Sequence, residues 1–295
     1  MNICVTGSSG LVGTALTRAV RQRGDTTTAL RRGSGPAGLS WNPSTYALAD
    51  PAGLEGFDAL VHLAGEPIAG RWTRHRKARI RSSRVNSTAM LARQLAGLNR
   101  PPRVWVVASA IGYYGSRGDE VLTEASSPGT GFLAEVCRDW EAAAEPARAV
   151  DIRVAHLRFG MLLSPDGGAL QTMLPPFRWG LGGPLGSGLQ HMSWATLADA
   201  VRALLFVLDQ DDLSGPVNVT APHPCTNREF TKALGHVLRR PAVMRVPAPL
   251  IRLLLGEMGD GLLLASQRVH PRQLQEHGFV FNHDRIEQGL ESTLT

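Results

Sequence analysis

Three glycines near the start of the chain have the spacing of a phosphate-binding turn. Gly7, Gly10 and Gly13 follow a β-rich run at residues 2–5, and apolar residues then recur with helical spacing. In such a strand–turn–helix unit the first glycine permits the turn, the second lets the backbone approach a pyrophosphate, and the third lets the helix pack on the strand. The helix N-terminus offers free N–H groups to phosphates, so the sequence predicts a dinucleotide site; the alternative is a purely structural turn. The predicted contacts of this turn also include Ser9, Leu11 and Val12.

The end of the second predicted strand, Thr26 to Leu30, indicates which dinucleotide is bound. An NAD site usually carries an acid there, which accepts a hydrogen bond from the ribose 2′-hydroxyl. Here Arg31 and Arg32 follow the strand, and no acid does. Guanidinium groups form forked, charge-assisted hydrogen bonds with phosphate. The sequence therefore predicts NADP rather than NAD, and the alternative is that one of the two arginines only faces solvent.

The composition is that of an ordinary globular chain. It has 295 residues, with 31 Lys and Arg against 25 Asp and Glu, and 43% of the residues are hydrophobic. Disordered and collagen-like classes are therefore excluded. No apolar run approaches the roughly 20 residues of a membrane-spanning helix, no signal peptide is visible, and Cys4, Cys137 and Cys225 form no CxxC pair. We expect a cytoplasmic protein with no metal site and no membrane partner.

A basic stretch at residues 71–84 raises the question of a nucleic-acid partner. It lies in a segment without any Asp or Glu, between Glu66 and Asp119. A phosphate-binding face uses such charges, but no recognised nucleic-acid motif accompanies them. We therefore expect a solvated helix face with one or two cofactor-phosphate contacts, and no nucleic acid.

Strands and helices alternate through the first half of the chain. Further strands are predicted at 59–63, 103–108 and 152–157, with helices at 85–98 and 131–148 between them. This alternation predicts an α/β fold of the Rossmann type, in which helices cover both faces of a doubly wound parallel sheet.

The pattern changes after Gly160. Residues 164–190 are rich in Gly and Pro, with large apolar residues interspersed, which predicts a loop-built substrate region. A helix over 196–209 and a strand over 215–220 then resume the earlier alternation. We predict a nucleotide-binding domain at 1–163, to which 191–222 return, and a smaller interleaved substrate domain formed by 164–190 and 223–295.

Several motifs together resemble those of a known superfamily. They are the turn at 6–13, Leu63-Ala64-Gly65-Glu66, Ser83-Arg84, Ala110-Ile111-Gly112-Tyr113-Tyr114-Gly115, the segment 181–188, and the tail from Arg245. On these residues the chain resembles the extended short-chain dehydrogenase/reductases, and more narrowly their atypical, NAD(P)-dependent epimerase-like branch with its C-terminal module. The resemblance covers essentially the whole chain and implies an NADP-binding protein with a small-molecule substrate.

The resemblance also implies positions around the cofactor. The loop 63–65 is expected beside it, with Glu66 pointing towards the nicotinamide. Arg84 is expected to reach a phosphate of cofactor or substrate, and Arg158 to flank the nicotinamide. For Glu66 and Arg84 the alternatives are a loop salt bridge and an ordinary surface charge.

The catalytic pair of that superfamily, Tyr-x-x-x-Lys, is absent from this chain. Tyrosine normally exchanges the proton at the substrate carbonyl, and the lysine one helical turn later lowers its pKa. The three tyrosines are Tyr46, Tyr113 and Tyr114, and the residues four positions later are Asp50, Arg117 and Gly118. In the helix where the pair belongs, one register places Leu133 and Cys137 at the two positions, and the other places Phe132 and Val136.

Two functions are consistent with these residues. The first is an NADP-dependent oxidoreductase or epimerase of atypical mechanism, acting on a small anionic or sugar-nucleotide-like substrate. Its candidate catalytic residues are Ser109, Tyr113, Tyr114 and Glu66, with Tyr114 the first choice because a phenol both donates and accepts. The alternative is a non-catalytic regulator or sensor that binds NADP, which the missing pair favours.

Assembly into a homodimer is also expected from the resemblance. Extended relatives often pair two helices of each subunit into a four-helix interface. The corresponding helices here, 85–98 and 131–148, carry apolar stripes that include Met90, Leu91 and Trp140. The alternative is that these stripes face the sheet.

Overall fold

Alternating apolar strands build one large, mostly parallel sheet in the computed structural model, which describes residues 1–33, 39–42 and 45–295. Its eight strands lie in the order β12-β8-β6-β5-β1-β2-β3-β4, and only the β3–β4 pair is antiparallel. Short strands elsewhere pair β9 with β11, β10 with β13, and β7 with β14. The strands are β1 Asn2–Thr6, β2 Thr26–Arg32, β3 Ser40–Asn42, β4 Ala47–Leu48, β5 Ala59–His62, β6 Val104–Ala110, β7 Val121–Leu122, β8 Arg153–Phe159, β9 Met161–Leu163, β10 His191–Met192, β11 Trp194–Thr196, β12 Gly215–Val219, β13 Cys225–Thr226 and β14 Arg268–Val269.

Helices cover both faces of this sheet because its strands are apolar on both sides. In β1, Ile3 and Val5 pack in one core with α1 and α6, whereas Cys4 packs in the opposite core with α2. The predicted doubly wound α/β fold is therefore confirmed. The helices are α1 Leu11–Gln22, α2 Arg74–Ala96, α3 Phe132–Ala142, α4 Glu145–Arg148, α5 Gly168–Arg178, α6 Leu197–Asp209, α7 Asn227–Val237, α8 Ala248–Leu255, α9 Arg272–Glu276 and α10 Ile286–Leu294.

Two predicted helices have different bounds in the structure. The prediction that a helix starts at Val85 is wrong, because α2 begins at Arg74 and includes most of the basic stretch. Thr73 caps this helix by accepting a hydrogen bond from the Arg76 N–H, a start signal that the sequence contained. The helix predicted over 131–148 is divided into α3 and α4.

A second apolar core lies beyond the large sheet. It joins α5, α7 and α10 through Leu174, Phe230 and Leu290. The segment 164–190 contains α5, which continues through Pro175 and Pro176. Prolines normally interrupt a helix, but Leu170, Leu174 and Phe177 bury one face of α5 and offset that cost.

The stripes behind the homodimer prediction are buried within the single chain. Met90, Leu91 and Trp140 are each no more than 5% exposed and belong to the core between the sheet, α2 and α3. They therefore face the sheet, and the dimer prediction loses that support. No helix in the described part of the chain is long and apolar enough to cross a membrane.

Candidate functional site

The glycine-rich turn between β1 and α1 is closed by direct backbone packing. Gly7 has a φ of +68°, and a Cβ built there lies 2.8 Å from the carbonyl carbon of Leu63. A Cβ built on Gly13 lies 2.2 Å from the Gly7 carbonyl oxygen. Both positions therefore require glycine, since a side chain would push the helix away from the turn and the turn away from the loop after β5.

Helix α1 presents its N-terminus to the space above this turn. Gly10 is its N-cap in an extended conformation, and it has no side chain that could cap the helix. The first turn of α1 carries no acid. The N–H groups at the start of the helix and the positive end of its dipole are therefore available to an anion.

A cleft of about 820 Å³ lies over this helix end. Most of the predicted cofactor residues of the turn and of the loop after β5 line it, which brings three separate sequence segments together. The predicted residues in its lining are Gly7, Ser9, Gly10, Arg31, Arg32, Leu63, Ala64 and Gly65. Leu11, Val12 and Gly13 form the first turn of α1 beneath it.

Cations surround the outer end of the cleft. Arg31 and Arg32 end β2 with exposed side chains, and Arg21 of α1 lines the same cleft. Within residues 1–33, 39–42 and 45–295, none of these three guanidinium groups has a polar partner. Their positive charges are therefore free to bind a phosphate.

The loop after β5 is fixed to the turn by hydrogen bonds. The Leu63 and Ala64 N–H groups both donate to the Thr6 hydroxyl, at 3.1 and 3.2 Å. The Glu66 carboxylate accepts a hydrogen bond from Arg79 at 2.5 Å and lies at the rim, as in the predicted alternative of a loop salt bridge. Arg84 is partly buried and donates to the Glu66 carbonyl oxygen at 3.0 Å, and its guanidinium carbon would lie 3.2 Å from a Cβ on Gly65.

A buried polar network lies beneath the carboxyl ends of β6 and β8. Arg158 donates to both carboxylate oxygens of Glu141, each at 2.8 Å, and to the Tyr114 hydroxyl, also at 2.8 Å. Ser109 donates to Glu141 at 2.7 Å, and Tyr114 donates to Asn218 at 2.7 Å. Each of these groups therefore has a hydrogen-bond partner within the protein, as is usual for buried polar and charged groups.

The two adjacent tyrosines have opposite environments. Tyr114 is completely buried, and burial raises its pKa to about 12. Its hydroxyl is occupied by Asn218 and Arg158, so this burial disfavours Tyr114 as proton donor, and that assignment stays a prediction. Tyr113 is partly exposed, its ring lies 3.5 Å from the guanidinium carbon of Arg158, and its hydroxyl has no partner in the described part of the chain.

Burial also changes the expectations for Ser109 and Arg158. Ser109 is 3% exposed and Arg158 is 2% exposed, and each is directed at Glu141. Both side chains are buried in this structure, where Arg158 contacts Tyr113 and Tyr114 and Ser109 contacts Glu141. The sequence did not assign a role to Glu141 or Asn218, because the contacts join residues that are far apart in the chain.

Leu133 and Cys137, one of the two predicted registers of the missing catalytic pair, face the tyrosine turn. A Cβ on Gly112 would lie 3.2 Å from the Leu133 Cβ and 3.8 Å from the Cys137 sulfur. Burial raises the pKa of the Cys137 thiol to about 12. The guanidinium carbon of Arg84 of α2 lies 5.2 Å from the Trp140 ring centre, so a cation from α2 approaches α3 in this region.

Sequence reasoning also missed the aromatic wall of the cleft. Trp41 of β3 lines the cleft and is only 4% exposed. Strand β3 has three residues, and it pairs with β2 at Arg31 and Arg32. A strand this short has no hydrophobic periodicity in the sequence. The one local sign of a buried segment is the tryptophan among turn-forming residues.

The fold and this cleft define a Rossmann-type α/β protein with a dinucleotide-binding architecture. The profile of the NAD dependent epimerase/dehydratase family matches residues 3–220, and the profile of a domain of unknown function, DUF1731, matches residues 246–293. The chain belongs to the NAD dependent epimerase/dehydratase family. The resemblance to the epimerase-like branch with its C-terminal module is therefore confirmed.

Three relatives place the chain within this family. Epimerase family protein MT2273 of Mycobacterium tuberculosis is 44% identical over 292 residues, which cover 98% of this chain and 96% of the relative. A crystal structure of human epimerase family protein SDR39U1 (isoform2) with NADPH has 32% identity and a TM-score of 0.92, covering 99% of both chains. A crystal structure titled nucleoside-diphosphate sugar epimerase from Corynebacterium glutamicum has 35% identity and a TM-score of 0.80, covering all of this chain and 58% of the other.

Proposed function

We propose that this protein binds NADPH at the glycine-rich turn and acts as an atypical NADP-dependent oxidoreductase or epimerase. The observation that carries the proposal is the cleft over the α1 N-terminus, lined by three arginines whose guanidinium groups have no polar partner in the described part of the chain. Uncapped N–H groups suit the pyrophosphate, and the guanidinium groups suit a 2′-phosphate. NADPH is also the ligand named with the human relative.

The family relationship and the local chemistry support a small anionic substrate, of a sugar-nucleotide kind. Helix α2 follows β5, so its N-terminus lies at the carboxyl edge of the sheet, where ligands of such folds bind. Arg71 and Arg74 are exposed there, and neither has a partner in the described ranges of the chain. The Corynebacterium relative is titled a nucleoside-diphosphate sugar epimerase, which agrees with this substrate class.

Tyr113 is the group that we assign to proton transfer at the substrate oxygen. When bound, the nicotinamide supplies hydride transfer. The Tyr113 hydroxyl has no partner among the described residues. Arg158 fixes the ring by stacking on it at 3.5 Å, and Glu141 in turn binds Arg158. Glu66, held by Arg79 at the rim, is the second candidate for moving a proton.

The cofactor part of the proposal is tested by calorimetry on the unmodified protein. We expect NADPH to bind more tightly than NADH, because only NADPH carries the 2′-phosphate. Equal affinities for the two would contradict the assignment.

The catalytic part is tested by replacing Tyr113 in a screen of carbonyl and sugar-nucleotide substrates with NADPH. We expect Tyr113→Phe to lower turnover by about 10²–10⁴, the usual contribution of a general acid or base, with NADPH affinity unchanged. Tyr114→Phe is the matched control, since it removes the same atom from a buried position. Full activity in Tyr113→Phe would move the assignment to Glu66.

A second candidate function is a regulator that binds NADP without turnover. The observation that favours it is that α3 carries apolar residues in both registers of the missing catalytic pair, Leu133 and Cys137 or Phe132 and Val136. NADPH binding together with no turnover across the whole screen would put this second function first.

A further inference from the structure

A second cleft lies on the C-terminal part of the chain, far from the glycine-rich turn in sequence. It has a volume of about 670 Å³, and one wall is a face of α7 that continues past its end. Arg228, Lys232, His236 and Arg239 recur on that face at intervals of three or four residues. The lining also includes the apolar residues Pro184, Ala242 and Val243. The two clefts share none of their lining residues.

No acidic residue of the described chain lines this cleft, and Glu229, the one acid beside its lining residues in the sequence, accepts hydrogen bonds from Thr226. No Asp or Glu occurs between Asp166 and Asp199, and none occurs between Glu229 and Glu257. The second of these segments contains five Lys and Arg residues. A concave surface of one charge sign attracts ions of the opposite sign.

Several polar groups in the cleft have no partner among the residues that the structure describes. The side chains of Lys232, His236 and Arg239 form neither a hydrogen bond nor an ion pair there. Thr231 also lines the cleft, and its side chain forms no hydrogen bond within the described ranges although the residue is only 2% exposed. A buried hydroxyl normally has a partner, so this one is available to a ligand atom in the cleft.

Arg239 has a backbone conformation that arginine does not favour. Its φ is +54°, and it follows α7 in a left-handed turn in which the Arg240 N–H donates to the Gly235 carbonyl. This helix-ending position usually carries glycine or asparagine. An arginine in place of glycine costs stability there, and it places a guanidinium group at the mouth of the cleft.

Stabilisation of the helix end alone does not explain this cluster. The C-terminus of a helix carries roughly −0.5 of a unit charge. Arg228, Lys232, Arg239 and Arg240 together carry four full positive charges around one cleft. Most of that charge is left without a counter-charge.

We propose that this cleft binds a phosphate group, with the cations of α7 and the Thr231 hydroxyl as its ligands and the apolar lining residues as contacts for the rest of the molecule. The group is carried either by a soluble phosphate ester or by an anionic lipid headgroup. The site is separate from the NADPH cleft and does not depend on NADPH binding.

Two arms of one experiment distinguish the two sources. The first titrates pyrophosphate into the full-length protein by calorimetry. The second measures sedimentation with vesicles of phosphatidylglycerol and with vesicles of phosphatidylcholine. Binding of pyrophosphate supports a soluble ligand, and binding to phosphatidylglycerol vesicles alone supports a headgroup.

Variants of the cleft residues test whether the measured binding takes place in this cleft. We expect Arg239→Gly and Lys232→Gln each to weaken binding about 10- to 100-fold, as for loss of one charged hydrogen-bonding group. Arg93→Gln is the matched control, since Arg93 is an exposed, unpartnered cation of α2 within the described chain. Arg239→Gly also suits the left-handed turn, so its melting temperature should be unchanged or higher.

The proposal is overturned if neither probe binds, or if the Arg239→Gly and Lys232→Gln variants bind as tightly as the unmodified protein. Pyrophosphate held at the glycine-rich turn would be insensitive to both variants. A failure here therefore leaves the proposed NADPH site unaffected, and a failure of NADPH binding leaves this cleft unaffected.

Discussion

The glycine-rich cleft and the buried network of Arg158 lie at the same edge of one sheet but are built in opposite ways. Among the residues that the structure describes, the cleft leaves N–H groups and guanidinium groups without partners, and its arginines are exposed. In the network, Arg158 and Glu141 form a two-pronged ion pair, and Ser109 and Tyr114 complete their hydrogen bonds. Unused polar groups mark a place for a ligand, whereas fully used ones hold the chain together.

This contrast separates residues that look alike in the sequence. Arg31 and Arg158 are each the second-last residue of a strand in the same sheet. The Arg31 side chain is nevertheless exposed, whereas Arg158 is only 2% exposed. Substitutions in the cleft should therefore change binding and leave stability intact. Substitutions in the network should lower stability and leave ligand binding unchanged.

The largest expected effect is on stability, from Arg158→Met. Removing one partner of a buried ion pair leaves Glu141 as an uncompensated charge, which costs about 3–5 kcal/mol in the free energy of unfolding. Urea denaturation measures this loss. If Arg158→Met unfolds at the same urea concentration as the unmodified protein, the network is not structural and the contrast fails.

The next effect is on binding, from the double variant Arg31→Ala/Arg32→Ala. We expect NADPH affinity to fall by roughly 2–4 kcal/mol, with each charged group contributing about 1.5–3 and the two not fully additive. NADH affinity and the urea midpoint should hardly change, because both side chains are exposed. Calorimetry with both dinucleotides checks this, and equal losses for NADPH and NADH would argue against a 2′-phosphate contact.

Tyr114→Phe sharpens the contrast within one pair of neighbours. The change leaves Asn218 and Arg158 each without one hydrogen bond in a buried place, which costs about 1–3 kcal/mol of stability. We expect turnover per folded molecule to be retained, unlike that of Tyr113→Phe. A loss of turnover at unchanged stability would return the catalytic role to Tyr114.

The smallest effect is a pH dependence of stability from His62, a buried residue behind the loop after β5. Its ring nitrogens contact the hydroxyls of Thr6 and Ser87 at 2.7 and 3.1 Å, and burial, aided by the charge of Arg84, lowers its pKa to about 3. The unfolded chain binds a proton near pH 6.5, which the folded chain does not bind until about pH 3. Stability therefore falls as the pH drops below about 6.5, by up to about 1.4 kcal/mol per pH unit.

Urea denaturation at pH 7.5 and 5.5 measures this dependence. His62→Gln should show a smaller difference between the two pH values than the unmodified protein. His156 is also buried with a pKa lowered to about 4, so part of the slope should persist in the variant. An unchanged slope would exclude His62 as its source.

Much of the fold could be predicted because its signals are local. Strand β1, the turn and α1 are contiguous, and the helix N-cap and glycine spacing both lie within eight residues. Thr226 and Glu229 likewise form a capping box at the start of α7 with no help from the rest of the chain. The early start of α2 was missed because its first turns carry cations rather than an apolar face.

The candidate site could be predicted only on its cofactor side. The Tyr114 hydroxyl meets residues 44 and 104 positions further along the chain. Contacts between residues so far apart cannot be predicted from spacing along the chain. The sequence therefore does not indicate which of the two adjacent tyrosines is buried. The same holds for Ser109 and Arg158, whose partner Glu141 lies on α3.

The sequence by itself determined the sheet and helix order, the glycine turn and the positive end of β2, because each depends on neighbours within a few residues. Only the tertiary structure decided which charges are used and which are free. The difference depends on burial. Arg158 lies where β6, β8 and α3 meet and must be paired, whereas Arg31 lies near the open end of β2 with its side chain exposed to solvent.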